Sequence, residues 1–238
     1  MAQNLFHIFR NTPLGRETLL QSIYFCRRMR LLLTVYIPTS TKFLMYFEND
    51  VVQVDLDPSY LSDPMTAEAH VREIMDESGM EPELYVPKNY TASTLPDIPT
   101  NFDFMCCPRS ISDLSSKIGL GYIGPRVRRI VQAARFPVLI TSPVFKPWRS
   151  VVVFFGGSAN AINALRLGIR VAKMAGMRLN VYTQVGKRMP EEYRTIVSEA
   201  GLDQELEKVI EKWTFFEKGS VEENLYAVDH DALVVLGA

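Results

Sequence analysis

The run VVVFFGGSANAINALRLGIRVAKMAGMRLNVYTQV, Val151 to Val185, decides the fold class. It opens on an apolar stretch with little polar alternation, the pattern of a strand covered on both faces. Gly156, Gly157 and Ser158 make a turn, and Ile162, Leu165, Ile169 and Val171 then fall at helical spacing over Ala159 to Met177. RLNVYTQV follows as a second strand. Working outward, the same plan stands near the N-terminus: LFHIFR (Leu5 to Arg10), a helical stretch from Leu14 to Met29 carrying Leu19, Leu20, Ile23 and Tyr24, and the buried-strand run RLLLTVYIP. Each copy goes on to a more polar helix, Thr66 to Ser78 in the first and Glu191 to Ala200 with Gln204 to Glu211 in the second. A third strand-like segment (ELYVP; WTFFEK) and a fourth (FDFMCC; ALVVLGA) come next. Strands alternating with helices of this length predict parallel α/β units with right-handed crossovers.

The first copy runs further, through SSKIGLGYIGP into a helix from Pro125 to Arg135 and a fifth strand, FPVLI. Val127, Ile130, Val131 and Ala134 give that helix one apolar face. TSPVFKPWRS, with Pro143 and Pro147, reads as the linker, so the expected domains are 1–148 and 149–238. The second copy reaches its fourth strand at Ala238, without a fifth strand or last helix. An insert from Pro38 to Pro64 interrupts the first copy, and FLMYFENDVVQVDLD within it predicts a hairpin around Glu48, Asn49 and Asp50.

Composition agrees with a folded chain of one large or two compact domains. Of 238 residues, 47% are hydrophobic and 22% charged, which excludes disordered, collagenous and coiled-coil classes. No apolar run approaches the roughly 18 residues that span a bilayer, and MAQNLFHIFRNTP lacks a basic n-region and cleavage pattern, so a cytoplasmic protein is expected. Three cysteines, Cys26, Cys106 and Cys107, are too few for a disulfide framework. The net charge of −1 argues against a nucleic-acid partner but hides an asymmetry. Leu114 to Pro190 holds 13 Lys and Arg and no Asp or Glu, which leaves 13 cations against all 27 acids elsewhere. A basic middle between acidic ends marks either an anion-binding surface or two faces that pair within the fold.

This order of elements resembles the universal stress protein family, in particular its tandem members. VVVFFGGSANAINALRLGIRVAKMAGMRLNVYTQV resembles the family's first strand, Asp-Gly-Ser turn, first helix and second strand, and GPRVRRIVQAARFPVLI its closing glycine, helix and Pro-Val-Leu strand. The resemblance implies two Rossmann-like (adenine nucleotide alpha hydrolase-like) domains with mostly parallel five-stranded sheets, the second lacking its last strand here, and dimers formed through the last strands. ATP-binding members carry an Asp at the end of the first strand and a Gly-x2-Gly-x9-Gly-Ser/Thr loop after the fourth. The Asp accepts from the nucleoside, and the glycines let N–H groups approach phosphates at a helix N-terminus. Here Gly156 stands at the Asp position of the second copy, and the first copy's turn reads Arg10-Asn11-Thr12-Pro13. Gly124 matches the last motif glycine, but Leu114 and Ile111 stand where the earlier glycines belong and Pro125 replaces the hydroxyl residue. Of the second copy's loop, Gly237 is present. The resemblance therefore supports the fold and argues against the ATP-binding branch.

Other motifs have plainer readings. Gly119-Leu120-Gly121-Tyr122-Ile123-Gly124 is formally G-x-G-x-x-G, but polar SDLSSK precedes it and no acid follows before Glu191, so it reads as a turn into the helix rather than a dinucleotide fingerprint. Cys106-Cys107 lacks zinc-ligand spacing and reads as the buried end of a strand. His7, His70 and His230 are scattered, with His70 expected to be solvated on its helix.

The expected function is a non-catalytic, universal-stress-protein-like protein acting in stress response or regulation through a ligand or partner. The alternative is an adenine-nucleotide (ATP or AMP) binder with at most slow hydrolysis. No cofactor is firmly implied, ATP or AMP being the candidates; no metal, membrane or nucleic acid is expected, and self-association is. Candidate binding residues are Gly156, Gly157, Ser158 and Gly237, and, as a weak phosphate site, Gly121, Gly124 and Arg126. In that second place Arg126, Arg128 and Arg129 crowd the positive end of a helix dipole, which calls for an anion or for carboxylates of the fold.

Overall fold

A computed structural model describes residues 3–81, 83–87, 95–109, 111, 123–186 and 188–237. The chain divides into two compact units, Met1–Phe145 and Lys146–Ala238.

Unit 1 begins with β1 (Asn4–Ile8), α1 (Pro13–Met29) and β2 (Leu32–Tyr36). Thr12 caps α1, its Oγ1 accepting from the Gly15 N–H at 3.1 Å, and Arg30 closes the helix in the left-handed conformation. The insert forms β3 (Lys42–Tyr46) and β4 (Val51–Asp55), the expected hairpin, antiparallel with Tyr46 opposite Val51 and the Phe47 N–H donating to the Asp50 carbonyl. A single 3-10 turn, Pro58–Tyr60, leads to α2 (Pro64–Glu77), β5 (Glu83–Tyr85), β6 (Asp97–Pro99), β7 (Phe104–Pro108), α3 (Pro125–Ala133) and β8 (Val138–Thr141). The main sheet has the order β5-β2-β1-β7-β8, and all its pairings are parallel. β6 pairs parallel to β3 and turns the hairpin into a three-stranded sheet.

β1 alternates its side chains between two layers. His7 meets Ser22 of α1 on one side. Phe6 and Ile8 enter a core on the other with Tyr36, Phe43, Met45 and Phe102. There Phe6 stacks on Phe102 at 4.8 Å between ring centroids, and Tyr36 meets Phe43 edge-on at 5.5 Å.

Unit 2 contains β9 (Ser150–Phe154), α4 (Ala159–Ala175), β10 (Leu179–Gln184), α5 (Pro190–Glu199), α6 (Asp203–Glu207), β11 (Ile210–Phe216), α7 (Val221–Asn224) and β12 (Ala232–Leu236). Its four strands lie parallel in the order β11-β10-β9-β12. Ser158 caps α4 through the Ala161 N–H at 3.1 Å, and Gly176 ends it with φ of 65°. Gly168 lets α4 approach β9: a methyl group there would stand 2.2 Å from Val153 Cγ2.

β1 and β9 are thus the matching central strands, as the repeated pattern predicted. One reading of these elements needs correction. Gln204 to Glu211 is not one helix, because α6 ends at Glu207 and β11 starts at Ile210, three residues before the expected WTFFEK strand begins at Trp213; pairing of Leu179 with Ile210 draws the segment into the sheet. β6 carries no signal in the sequence, since three residues with a proline show no period of their own.

Candidate functional site

In an open parallel sheet, ligands bind beyond the carboxyl ends of the strands, where the strand order reverses. In unit 2 that point lies between β9 and β12. Phe155 leaves β9 with its N–H on the Tyr182 carbonyl at 2.8 Å, and its own carbonyl accepts from Thr183 Oγ1 at 2.9 Å. Trp213 Nε1 donates to the same hydroxyl at 3.0 Å and so fixes its direction. This scaffold presents Gly156, Gly157 and Ser158 at the start of α4. Gly157 has φ of 73°, a conformation that favours glycine. A methyl group on it would stand 3.1 Å from Arg188 Nη1, so a guanidinium from the segment before α5 lies directly against the turn. Around Gly156, among the described residues and its chain neighbours aside, no atom lies within 4 Å of where a side chain would begin. At the end of β12, a methyl group on Gly237 would meet the backbone C and O of Asn160 at 2.5 Å and the Ala161 N at 2.8 Å. Gly237 is therefore the residue that lets β12 close onto the first turn of α4. Four expected site residues come together here, and the sequence reading counted Arg188 only as a charge.

The same point in unit 1, between β1 and β7, is built alike and filled differently. The Phe9 N–H donates to Tyr36 as Phe155 does to Tyr182, and Thr12 caps as Ser158 does. Arg10 and Asn11 accordingly take the places of Gly156 and Gly157. His7 pairs with Cys106, and Val153 with Val235, so two residues further along Pro108 takes the place of Gly237. Asn11 Oδ1 lies 2.8 Å from His70 Nδ1, so His70 is half-buried and hydrogen-bonded rather than solvated, its ring edge-on to Phe9. The Arg10 guanidinium lies 5.3 Å from the Tyr60 ring centroid and 3.8 Å from Asp57 Oδ1.

At the third place, the Gly124 N–H donates to the Arg109 carbonyl at 2.8 Å, and Pro125 opens α3. Arg126 Nη2 lies 2.6 Å from Asp55 Oδ2, Arg129 lies 3.8 Å from Asp50, and Arg128 Nε donates to the Ile123 carbonyl. Carboxylates of the insert hairpin thus face two of the three cations at the helix start. Gly119 to Tyr122, including Gly121, lie outside the described residues.

Cys106 and Cys107 are the buried end of β7, as expected; burial pushes the Cys106 thiol up to about 12 and that of Cys107 well above its ordinary value, so both are held as thiols. Among the described residues no cluster of His, Cys, Asp and Glu is arranged to hold a metal ion, and no helix is long and apolar enough to cross a membrane.

No protein-family model and no curated protein matches this sequence. Among solved structures, a universal stress protein from Archaeoglobus fulgidus DSM 4304 matches with a TM-score of 0.62 at 14% identity, over 94% of this chain and 81% of that one. A putative universal stress protein from Pseudomonas aeruginosa UCBPP-PA14 matches with a TM-score of 0.56 at 9% identity, over 98% and 82%. A functionally unknown protein from Pseudomonas aeruginosa PAO1 matches with a TM-score of 0.51 at 9% identity, over 89% and 73%. At these identities the likeness is one of fold, and the fold of this chain is the one seen in universal stress proteins of known structure.

Proposed function

We propose that this chain is a regulatory protein of the universal stress protein type that works by binding rather than by catalysis, and that the β9–α4 turn of unit 2 takes a small anionic molecule. The observation that carries this reading is the juxtaposition of the glycine turn, the Gly237 approach to α4 and the Arg188 guanidinium at one strand-order reversal. N–H groups at a helix start and a neighbouring cation together favour an anion. Gly156, Gly157 and Ser158 carry no ionisable group, so the turn offers neither a general base nor a carboxylate for a ribose. A cytoplasmic location and self-association go with this reading.

An adenine nucleotide is the second reading, favoured by the Gly237 contact, which brings the end of β12 against the start of α4. Thermal unfolding with inorganic phosphate, AMP and ATP at low salt tests both. A ligand at 100 times its Kd adds about 2.7 kcal/mol, so a bound anion raises the Tm visibly. Arg188→Ala should abolish that rise, and phosphate release from ATP should stay at the level of buffer. A rise with AMP and ATP but not with phosphate selects the nucleotide. No rise with any of the three at millimolar concentration removes the proposal, and ATP turnover lost in the Arg188→Ala variant removes its non-catalytic part.

A further inference from the structure

The switch point of unit 1 is occupied by the chain itself. Arg10 leaves the central strand where unit 2 has Gly156, and its side chain, 17% exposed, lies under the 3-10 turn of the insert. Tyr60, buried, covers the guanidinium face at 5.3 Å, and Asp57, also buried, approaches its edge at 3.8 Å. The Asp57 N–H donates to the Ile111 carbonyl at 3.0 Å, three residues past β7, so the turn reaches from the end of β1 to the segment after β7. It crosses the strand-order reversal itself.

The fit is incomplete in an informative way. Asp57 Oδ1 already accepts from the Ser59 N–H and hydroxyl, and its distance to Arg10 exceeds that of a charge-assisted hydrogen bond. Arg10 Nε is buried with no hydrogen-bond partner among the described residues. A buried guanidinium donor without an acceptor is costly, and a ligand presenting two acceptor oxygens in one plane would satisfy it. A ring over the face and an acid at the edge are the contacts an aromatic anion would make with Arg10.

We propose that Asp57 and Tyr60 act as an intramolecular ligand of Arg10, a plug that closes an anion site in unit 1 against small molecules carrying a phosphate on a ring system. The two units are then unequal: unit 1 holds its own occupant, and unit 2 presents an open turn. The plug does not require unit 2 to bind anything, and the test keeps the two apart.

Isothermal titration with AMP at low salt compares the wild-type chain with an Asp57→Asn/Tyr60→Ala variant. Whatever number the wild type binds, the variant should bind one more per chain, and adding Arg10→Ala should remove that gain. A wild type that binds none bears on unit 2 alone. A folded variant with no gain, or a gain that survives Arg10→Ala, overturns the plug. Should the double variant fail to fold, the isosteric Asp57→Asn change decides. Inorganic phosphate should slow the reaction of Arg10 with 4-hydroxyphenylglyoxal about tenfold in that variant, the effect of a site nine-tenths filled, and leave the wild-type rate unchanged. Equal protection in both proteins, or in neither, overturns the plug as well.

Discussion

Gly168 faces β9 from the middle of α4, and its missing side chain is what lets the helix lie so close. In an exposed helix, glycine to alanine gains roughly 1 kcal/mol of propensity. Here the added methyl would fall 2.2 Å from Val153 Cγ2, in a fully buried side chain that is stiff at χ1. Overpacking should therefore prevail, and Gly168→Ala is expected to destabilise by about 1 to 3 kcal/mol in urea unfolding, with Val153→Ala in the same chain restoring part of the loss. A stabilised Gly168→Ala would show that α4 moves away without cost. His7 makes the second prediction at this scale. It is fully buried, its Nδ1 is on Ser22 Oγ at 2.9 Å, its Nε2 has no partner among the described residues, and burial pushes its pKa down to about 3 from an ordinary 6.5. Between these values the unfolded chain binds a proton that the folded chain refuses. The stabilisation is whole above pH 6.5 and is lost as pH falls toward 3, with a slope of about 1.4 kcal/mol per pH unit inside the window. Urea unfolding at pH 7.5, 5.5 and 4.5 should show this slope in the wild type and a shallower one in His7→Gln.

Two elements meet where the insert hairpin touches α3. Arg126 and Asp55 make a 2.6 Å pair, but their side chains are 38% and 27% exposed, so solvent screens it. A double-mutant cycle with Arg126→Ala and Asp55→Ala should give a coupling of no more than about 1 kcal/mol, falling toward zero in 1 M salt. A coupling that persists in high salt would mean that this contact is closed to water. The caps of α1 and α4 do not depend on an ion pair that salt screens. Thr12→Ala and Ser158→Ala should each cost about 1 kcal/mol in denaturant unfolding, since each leaves an N–H of the first turn without its acceptor.

At the scale of the whole molecule, β8 forms one edge of the unit 1 sheet, pairing β7 on its inner side. Such an edge presents main-chain donors and acceptors that a second chain can pair. We expect light scattering to give twice the chain mass at micromolar concentration, and Ile140→Pro, which removes a β8 donor, to return it to the monomer. A monomer mass for the wild type throughout would rule out self-association through this edge.

The sequence by itself determined most of the elements. Val151 to Val185 shows its strand, helix and strand because burial on two faces makes strands uniformly apolar and burial on one face spaces helical residues by turns, and both are local properties of the chain. The hairpin around Glu48 to Asp50, the repeat of the strand–helix–strand plan and the buried Cys106-Cys107 were legible for the same reason. Of the unit 2 site, Gly156, Gly157, Ser158 and Gly237 could be read from a pattern of residue types. What only the tertiary structure decided were the meetings of residues remote in sequence. Arg188 lies against Gly157, Tyr60 covers Arg10, β6 finds β3, and His7 is sealed beneath α1. No local period encodes these contacts, because their distances follow from strand order and from how a 3-10 turn crosses the sheet.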